Sequence, residues 1–348
     1  SISFDEIDFR YIIFYNQESK PVMVSSIQLV NFVDKNSKYN ELLCKVGDTI
    51  KNKILEMLDI KVMVCGNVFA CGENGFTHTN DIYAKHAYDN LSKALYKLRL
   101  SEKANGQVSI VLLKEFWPDH FTESDELKKH QFRDFKIDVN MLLEIHPSWK
   151  SIDDYLESMT TKFRTKAKSC FKKSKDLVVK ELSAKDIKNY NDRIEELYDD
   201  VVEHADFKFG ELNGKAFQLL KEELKSQFSF KGYFLDDKLI GFSTAFISNN
   251  IVDAGYVGID YDYNQEHAVY QLMLYDYVKT AIHSNSSELR LGRTAEEIKS
   301  CLGAKPVDMK LYLRHRNSVS NKLLKPIIES ISPSEYTIRQ PFKASFTN

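Results

Sequence analysis

The stretch "AVYQLMLYDYVKTAI" (268–282), followed after a short gap by "LRLGRTAEEIKSCLGA" (289–304), decides how the chain is organised. The first segment has helical spacing and is apolar nearly all round, apart from a stripe of Gln271, Tyr275 and Lys279. Such a helix must be largely buried against a sheet. The second segment opens as a strand, turns at Gly292-Arg293 and gives helix-start chemistry at once. Thr294 is placed as N-cap, Glu297 at the capping-box position and Gly303 as C-terminal stop.

Working outward, "DMKLYLRH" follows as a last strand, and "IVDAGYVGID" precedes the buried helix as another. Before that, "FKGYFLDDKLIGFSTAFISNN" reads as a hairpin about Asp236-Asp237. Upstream of it stand a helix over about 214–226, a helix over 186–205 and a short strand, "DLVVKEL" (176–182). The predicted order is strand, two helices, three strands, helix, strand, helix, strand. The first half repeats part of it: strand 59–71, helix 84–100, strand 107–113 and strand 135–145 follow the order of residues 251–314. The sequences themselves do not match, so the duplication is one of pattern alone.

The 348 residues exceed one typical domain. Lys and Arg nearly balance Asp and Glu, giving a formal net charge of −2, which gives no support to a general polyanion-binding role. Cys44, Cys65, Cys71, Cys170 and Cys301 are odd in number and lack paired close spacing, which reads as reduced thiols in a cytosolic protein. No apolar run reaches the roughly 18–20 residues that cross a bilayer. The abrupt start near a strand-like run implies native residues before Ser1. Nucleotide P-loop, Cys-x-x-Cys and His-Glu-x-x-His patterns are absent, so no metal site is expected.

The order of elements resembles the GNAT acyltransferase superfamily, and more closely its FemAB-like and CelD-type branch, in which two such domains sit in tandem. The resemblance rests on "YLESMTTKFRTKAKSCFKKSKDLVVKEL" (155–182), on 268–282 with 289–304, and on the tail "RQPFK" (339–343). It implies an α/β (α+β) fold of tandem GNAT-like domains with mixed central sheets flanked by helices. The expected division is 1–150, a basic linking helix over 151–175, and 176–348. It also implies a bacterial, cytoplasmic N-acyltransferase with no tightly bound cofactor, moving an acyl group from acyl-CoA or an acyl-carrier protein to an amine. The donor site would lie in the C-terminal half and the acceptor in the interdomain cleft. In this fold the donor's pantetheine arm inserts where the central strand splays from the next, here between "IVDAGYVGID" and "SELRLGR", with Gly255 and Gly258 allowing close backbone approach. Where the superfamily has a glycine-rich phosphate loop, this chain reads "NQEHAV" (264–269), so Asn264, Gln265 and the adjacent Tyr270 are the candidate donor contacts and ordinary CoA binding is in doubt.

Arg293, at the end of a strand, suits a carboxylate or phosphate, Lys299 lies near it, and Glu297 is a candidate base for the amine. An i,i+4 Arg293–Glu297 pair is the structural alternative. Asp253 and Tyr256, three apart on one strand, are expected on opposite faces, one toward the acceptor and the other toward the core; Tyr256 is a candidate proton donor to a leaving thiolate, Asp253 a candidate catalytic carboxylate that is costly to bury without a partner, and His204, bordering the acceptor loop, a candidate base. From Lys162 to Lys175 there are seven basic residues and no acid, over an apolar stripe of Leu156, Met159, Phe163, Ala167 and Cys170. Arg164 and Lys168 on this helix are candidate contacts to an acyl-carrier protein or a tRNA. Two further readings stay open: an aminoacyl-tRNA-dependent transferase acting on a cell-wall precursor, and a non-catalytic binding module for an anionic polymer or carrier protein.

Overall fold

The computed structural model describes residues 7–32, 60–136, 139–203, 212–329 and 337–346. They form two compact units. The first is built on a mixed sheet of β1 (Ile7–Tyr15), β2 (Pro21–Phe32), β3 (Ile60–Cys65), β5 (Val108–Phe116), β14 (Lys310–His315) and β6 (Arg133–Phe135), in that spatial order, with β4 (Phe76–His78) pairing β2. Helix α1 (Ala84–Ser101) crosses from β3 to the parallel β5. Its buried residues Tyr88, Leu91 and Leu95 recur at helical spacing and pack against Ile27, Met63, Val111 and Leu113 of the sheet.

The second unit is built on a sheet ordered β13 (Lys305–Asp308), β7 (Val139–Glu144), β12 (Glu288–Arg290), β11 (Ile251–Ile259), β10 (Lys238–Ser248), β9 (Phe228–Leu235) and β8 (Val178–Glu181). The hairpin β9–β10 turns at Asp236 and Asp237, both with positive φ (46° and 66°), and β10–β11 turns the same way at Asn249 and Asn250 (48° and 64°). Asp and Asn tolerate this backbone and suit two-residue hairpins of that hand.

Two strands lie in the other sheet from the one a contiguous division assigns. The segment 135–145 breaks into β6 and β7, and β7 joins the second unit by pairing β12; β14, the expected last strand of the C-terminal half, joins the first unit between β5 and β6. Among the described residues the first unit therefore takes 308–329 as well as those up to 136, and the second takes 139–203, 212–307 and 337–346. A strand's alternation fixes which residues point inward, and it is silent on which of two sheets receives them.

After the single-turn α2 (Phe121–Ser124), the basic helix is two helices, α3 (Ile152–Ser158) and α4 (Thr161–Lys173), with Met159 and Thr160 extended between them. Ser151 and Asp154 close a capping box at the start of α3. The break is where the tail docks: Met159 bridges Phe342, the Thr160 amide donates to the Pro341 carbonyl, and the Lys343 amide donates to the Ser158 carbonyl. The whole expected stripe is nevertheless buried, in the core of the second unit. The expected helix 186–205 also divides, into α5 (Ala184–Asn189) and α6 (Asn191–Glu203), after which α7 (Gly214–Leu224) follows. The buried helix begins as α8 (Tyr261–His267), passes through Ala268 at φ 51°, and continues as α9 (Val269–His283); the expected helix 294–303 is shorter, α10 (Glu296–Ser300). In α9, ten residues are buried, among them Tyr275 of the polar stripe, and at about 1.5–3 kcal/mol for each fully buried large side chain this helix anchors the second core. The last helix is α11 (Ser318–Glu329).

Candidate active site

The parallel pairing of β11 with β12 stops early. Only Ile251, Val252 and Asp253 pair, with Glu288, Leu289 and Arg290, while β11 runs on to Ile259. Among the described strands β11 has only β10 and β12 as neighbours, so its last six residues have no strand beside them on the β12 side. The corresponding parallel pair of the first unit, β3 and β5, is registered from Lys61↔Val108 to Cys65↔Leu113, through to the end of β3. The splay is a property of the second unit's pair.

The chain leaving β12 is bent by its own backbone. Gly292, Thr294 and Ala295 have φ of 70°, 61° and 53°. Glycine takes this conformation freely, but for a β-branched threonine it is strained, and strain of this kind gathers at functional sites. The expected N-cap therefore moves: Ala295 occupies the cap position of α10 and no side chain caps it. Lys299, 4% exposed, turns back and donates from Nζ to the Arg293 carbonyl at 2.5 Å, closing the loop. Its ammonium thus ties the loop back to α10. Arg293 is half-buried, three residues past the last paired residue of β12.

On the other side of the slot β11 carries a bulge. Its register with β10 runs Ala245↔Ala254 and then Ser243↔Val257, leaving Gly255 and Tyr256 opposite Thr244. The Thr244 hydroxyl fills the gap, accepting from the Tyr256 amide at 2.7 Å and donating to the Tyr256 carbonyl at 3.1 Å. The extra residue shifts the alternation of β11 by one. Asp253, opposite Phe246, and Tyr256 therefore share a face, the one carrying Phe242 and Phe246, and the expectation of opposite faces is corrected. Ring contacts fix this: Tyr256 lies 5.5 Å from Phe217 and 5.8 Å from Tyr198, and Phe217 lies 5.6 Å from Phe242. Arg290 and Glu288, at register positions beside Asp253 and Ile251, form an ion pair at 3.2 Å. The signal for Thr244 was in the sequence, since Ser243-Thr244 interrupts an otherwise apolar strand.

Other expected contacts are taken up structurally. A Cβ on Gly258 would meet the Phe242 ring at 2.2 Å and Leu197 at 2.9 Å, so the packing leaves no room for a side chain at this position. The same holds at Gly255, where the Thr244 hydroxyl stands 2.5 Å from the missing Cβ. Asn264 accepts from the Tyr270 amide at 3.0 Å and so satisfies a donor in the first turn of α9. The Gln265 carbonyl accepts from Lys173 Nζ at 3.2 Å. Tyr270 is half-buried, and burial pushes its hydroxyl up to about 12. Glu297 is exposed and pairs with Arg339 of the tail, whose Nε donates to it at 3.1 Å; that hydrogen bond holds its carboxyl below the usual range, the wrong direction for a general base. The Arg293–Glu297 pair is thereby replaced by Arg339–Glu297. Arg164 is half-buried and Lys168 exposed on α4. His204 lies outside the described residues.

The helices that leave the two splayed strands enclose a cavity of 340 Å³ with α4. Phe163, Leu274, Tyr275, Ile298 and Leu302 make it largely apolar, and Lys166, Gln271, Glu297 and Cys301 line it with polar atoms. The volume falls within the range of about 300–1,000 Å³ usual for small-molecule sites. Among the described residues no group of His, Cys, Asp and Glu is placed to hold a metal ion, and no helix is long and apolar enough to cross a membrane.

No family model and no curated protein sequence matches this chain. Solved structures do. FemX aligns at 11% identity over 94% of this chain and 92% of its own, with a TM-score of 0.57. A conserved protein of unknown function from Bacteroides thetaiotaomicron aligns at 8% identity over 89% and 86%, with a TM-score of 0.53. The C-terminal domain (DUF2156) of a putative lysylphosphatidylglycerol synthetase from Agrobacterium fabrum aligns at 9% identity over 91% and 87%, with a TM-score of 0.50. The chain shares the fold of these structures, here two units each built on a mixed sheet flanked by helices.

Proposed function

We propose that this chain is an N-acyltransferase whose donor site is the slot between β11 and β12. One observation carries the reading: the strands part after Asp253 in the second unit, whereas the corresponding pair in the first unit stays registered to the end of β3. A parted parallel pair exposes backbone donors to a guest chain, and an extended thioester arm is a guest that backbone amides can hold. The fold supports the acyl-transfer class; the donor and acceptor belong to the proposal.

In the reaction so read, the amine nitrogen attacks the thioester carbonyl, a C–N bond forms and the C–S bond breaks. The amine proton passes to Asp253, directly or through water, and the thiolate takes a proton from Tyr256, the two residues that the bulge sets on one face. Backbone N–H groups along the unpaired end of β11 would face the oxyanion. The cavity between α4, α9 and α10 would take the acyl chain or part of the donor's arm, with acyl-CoA or an acyl-carrier protein as co-substrate.

A thermal titration with free CoA and acyl-CoAs of increasing length tests this. A ligand bound only to the folded state adds about 2.7 kcal/mol at a hundredfold excess over Kd. Stabilisation graded with chain length, and an acyl transfer lost in Asp253→Asn with binding retained, is the expected result. Absence of stabilisation by every member of the series would remove the CoA reading.

A second reading keeps the transferase and changes the donor to aminoacyl-tRNA. The exposed Lys162, Lys166, Lys168 and Lys172 of α4 favour it, because a cationic helix face suits a phosphate backbone. Charge reversal there would abolish transfer from tRNA and leave a CoA-dependent reaction standing.

A further inference from the structure

The first unit contains a cationic pocket with no part in the reading above. Its volume is 200 Å³, and it is lined by Ser92, Tyr96 and Arg99 of α1 and by Arg314, His315 and Arg316 at the end of β14, over a floor that includes Leu95, Val111 and Phe132. Ser92, Leu95, Tyr96 and Arg99 stand at i, i+3, i+4 and i+7 and so share one face of α1. Arg314 lies mid-sheet, opposite Val111 of β5.

Three arginines meet here, and among the described residues none has a carboxylate within ion-pair distance. Arg99 and Arg314 both set their guanidinium carbons over one ring, that of Tyr96, at 5.2 and 5.9 Å, and Arg314 is also 5.9 Å from the Phe132 ring. Burial and the charge of Arg99 both push the half-buried Arg314 guanidinium down. The rings attract each guanidinium, but the gathered like charges repel one another, and an anion among them would remove that repulsion. The backbone is fixed in place: the Arg316 amide donates to the Ser109 carbonyl at 2.9 Å, the His315 amide donates to Asn321 Oδ1 at 2.8 Å, and Asn321 Nδ2 donates to the Gln131 carbonyl at 2.9 Å. Planar guanidinium forks bind phosphate oxygens in pairs. The pocket is smaller than the roughly 300 Å³ at which drug-sized sites begin, so it suits a phosphate or diphosphate group with the rest of its molecule outside.

We infer that Arg99, Arg314 and Arg316 form a binding site in the first unit for the phosphate or diphosphate group of a small-molecule ligand. Calorimetric titration of the full chain with inorganic pyrophosphate and with orthophosphate, at ionic strength held constant with sodium chloride, tests it. Saturable binding of either anion is expected, weakened at least tenfold in Arg99→Gln and also in Arg99→Lys, which keeps the charge and loses the fork. Arg99 is on the partly exposed face of a helix, so these variants keep the test valid if Arg314→Gln fails to fold. Absence of saturable binding by the wild type, an unchanged affinity in Arg99→Gln, or equal displacement by chloride would each overturn the inference.

Discussion

The Thr244 hydroxyl bonds both the amide and the carbonyl of Tyr256, at 2.7 and 3.1 Å, and so holds open the bulge that turns Asp253 and Tyr256 to one face of the sheet. Thr244→Val keeps the shape and removes both bonds. The expected loss is about 1–2 kcal/mol of stability, together with a fall in transfer activity larger than that loss of stability explains, while Thr244→Ser keeps both. Urea unfolding alongside turnover checks this; a valine variant with wild-type turnover would show that the bulge does not position the pair.

Asp260 holds the start of α8. Arg193 Nη2 and Lys238 Nζ donate to its Oδ2 at 2.5 and 3.1 Å, and it accepts from the Asp262 amide at 3.3 Å. Burial pushes its carboxyl up, but the hydrogen bonds from Lys238 and Arg193 outweigh burial and set it below the ordinary value. A depressed carboxyl contributes stability in full above its unfolded pKa and loses it as pH falls through the folded one. Asp260→Asn is expected to cost about 1.5–3 kcal/mol at pH 7 and to flatten the decline of stability below about pH 4, as measured by denaturant midpoints across that range.

Gly303 carries φ 98°, and a Cβ there would stand 2.0 Å from the Phe342 ring of the tail. Two costs add in Gly303→Ala: backbone strain of about 1–2 kcal/mol and the steric clash. Combining it with Phe342→Leu should relieve the clash and leave the strain, so the double-variant cycle reads a coupling above about 0.5 kcal/mol. Additive costs would show that the tail yields at no expense.

Thiol labelling should divide the cysteines. Cys65 and Cys170 are buried, and burial pushes both thiols up to about 12, whereas Cys71 is exposed and Cys301 lines the cavity of the second unit. Cys71 and then Cys301 are expected to react in the native protein, with Cys65 and Cys170 following only on unfolding. Mass mapping of the modified sites checks the order, and native labelling of Cys170 would contradict the packing of α4.

What the sequence determined by itself was the local set. Helical spacing in 84–100 and 268–282, the Asp236-Asp237 turn and the stripe through Phe163, Ala167 and Cys170 are written in neighbouring residues, and all reappear as elements and burial in the structure. The order of those elements was enough to place the fold. Tertiary structure alone decided the rest, because each remaining feature depends on partners far apart in the chain. Glu297 finds Arg339, 42 residues on, instead of Arg293. Strands β7 and β14 join sheets that their periodicity does not specify. Gly258 answers to the ring of Phe242, and Asp253 joins Tyr256 on one face through a single inserted residue in β11. A period of two cannot show where it slips; only pairing against a neighbouring strand does.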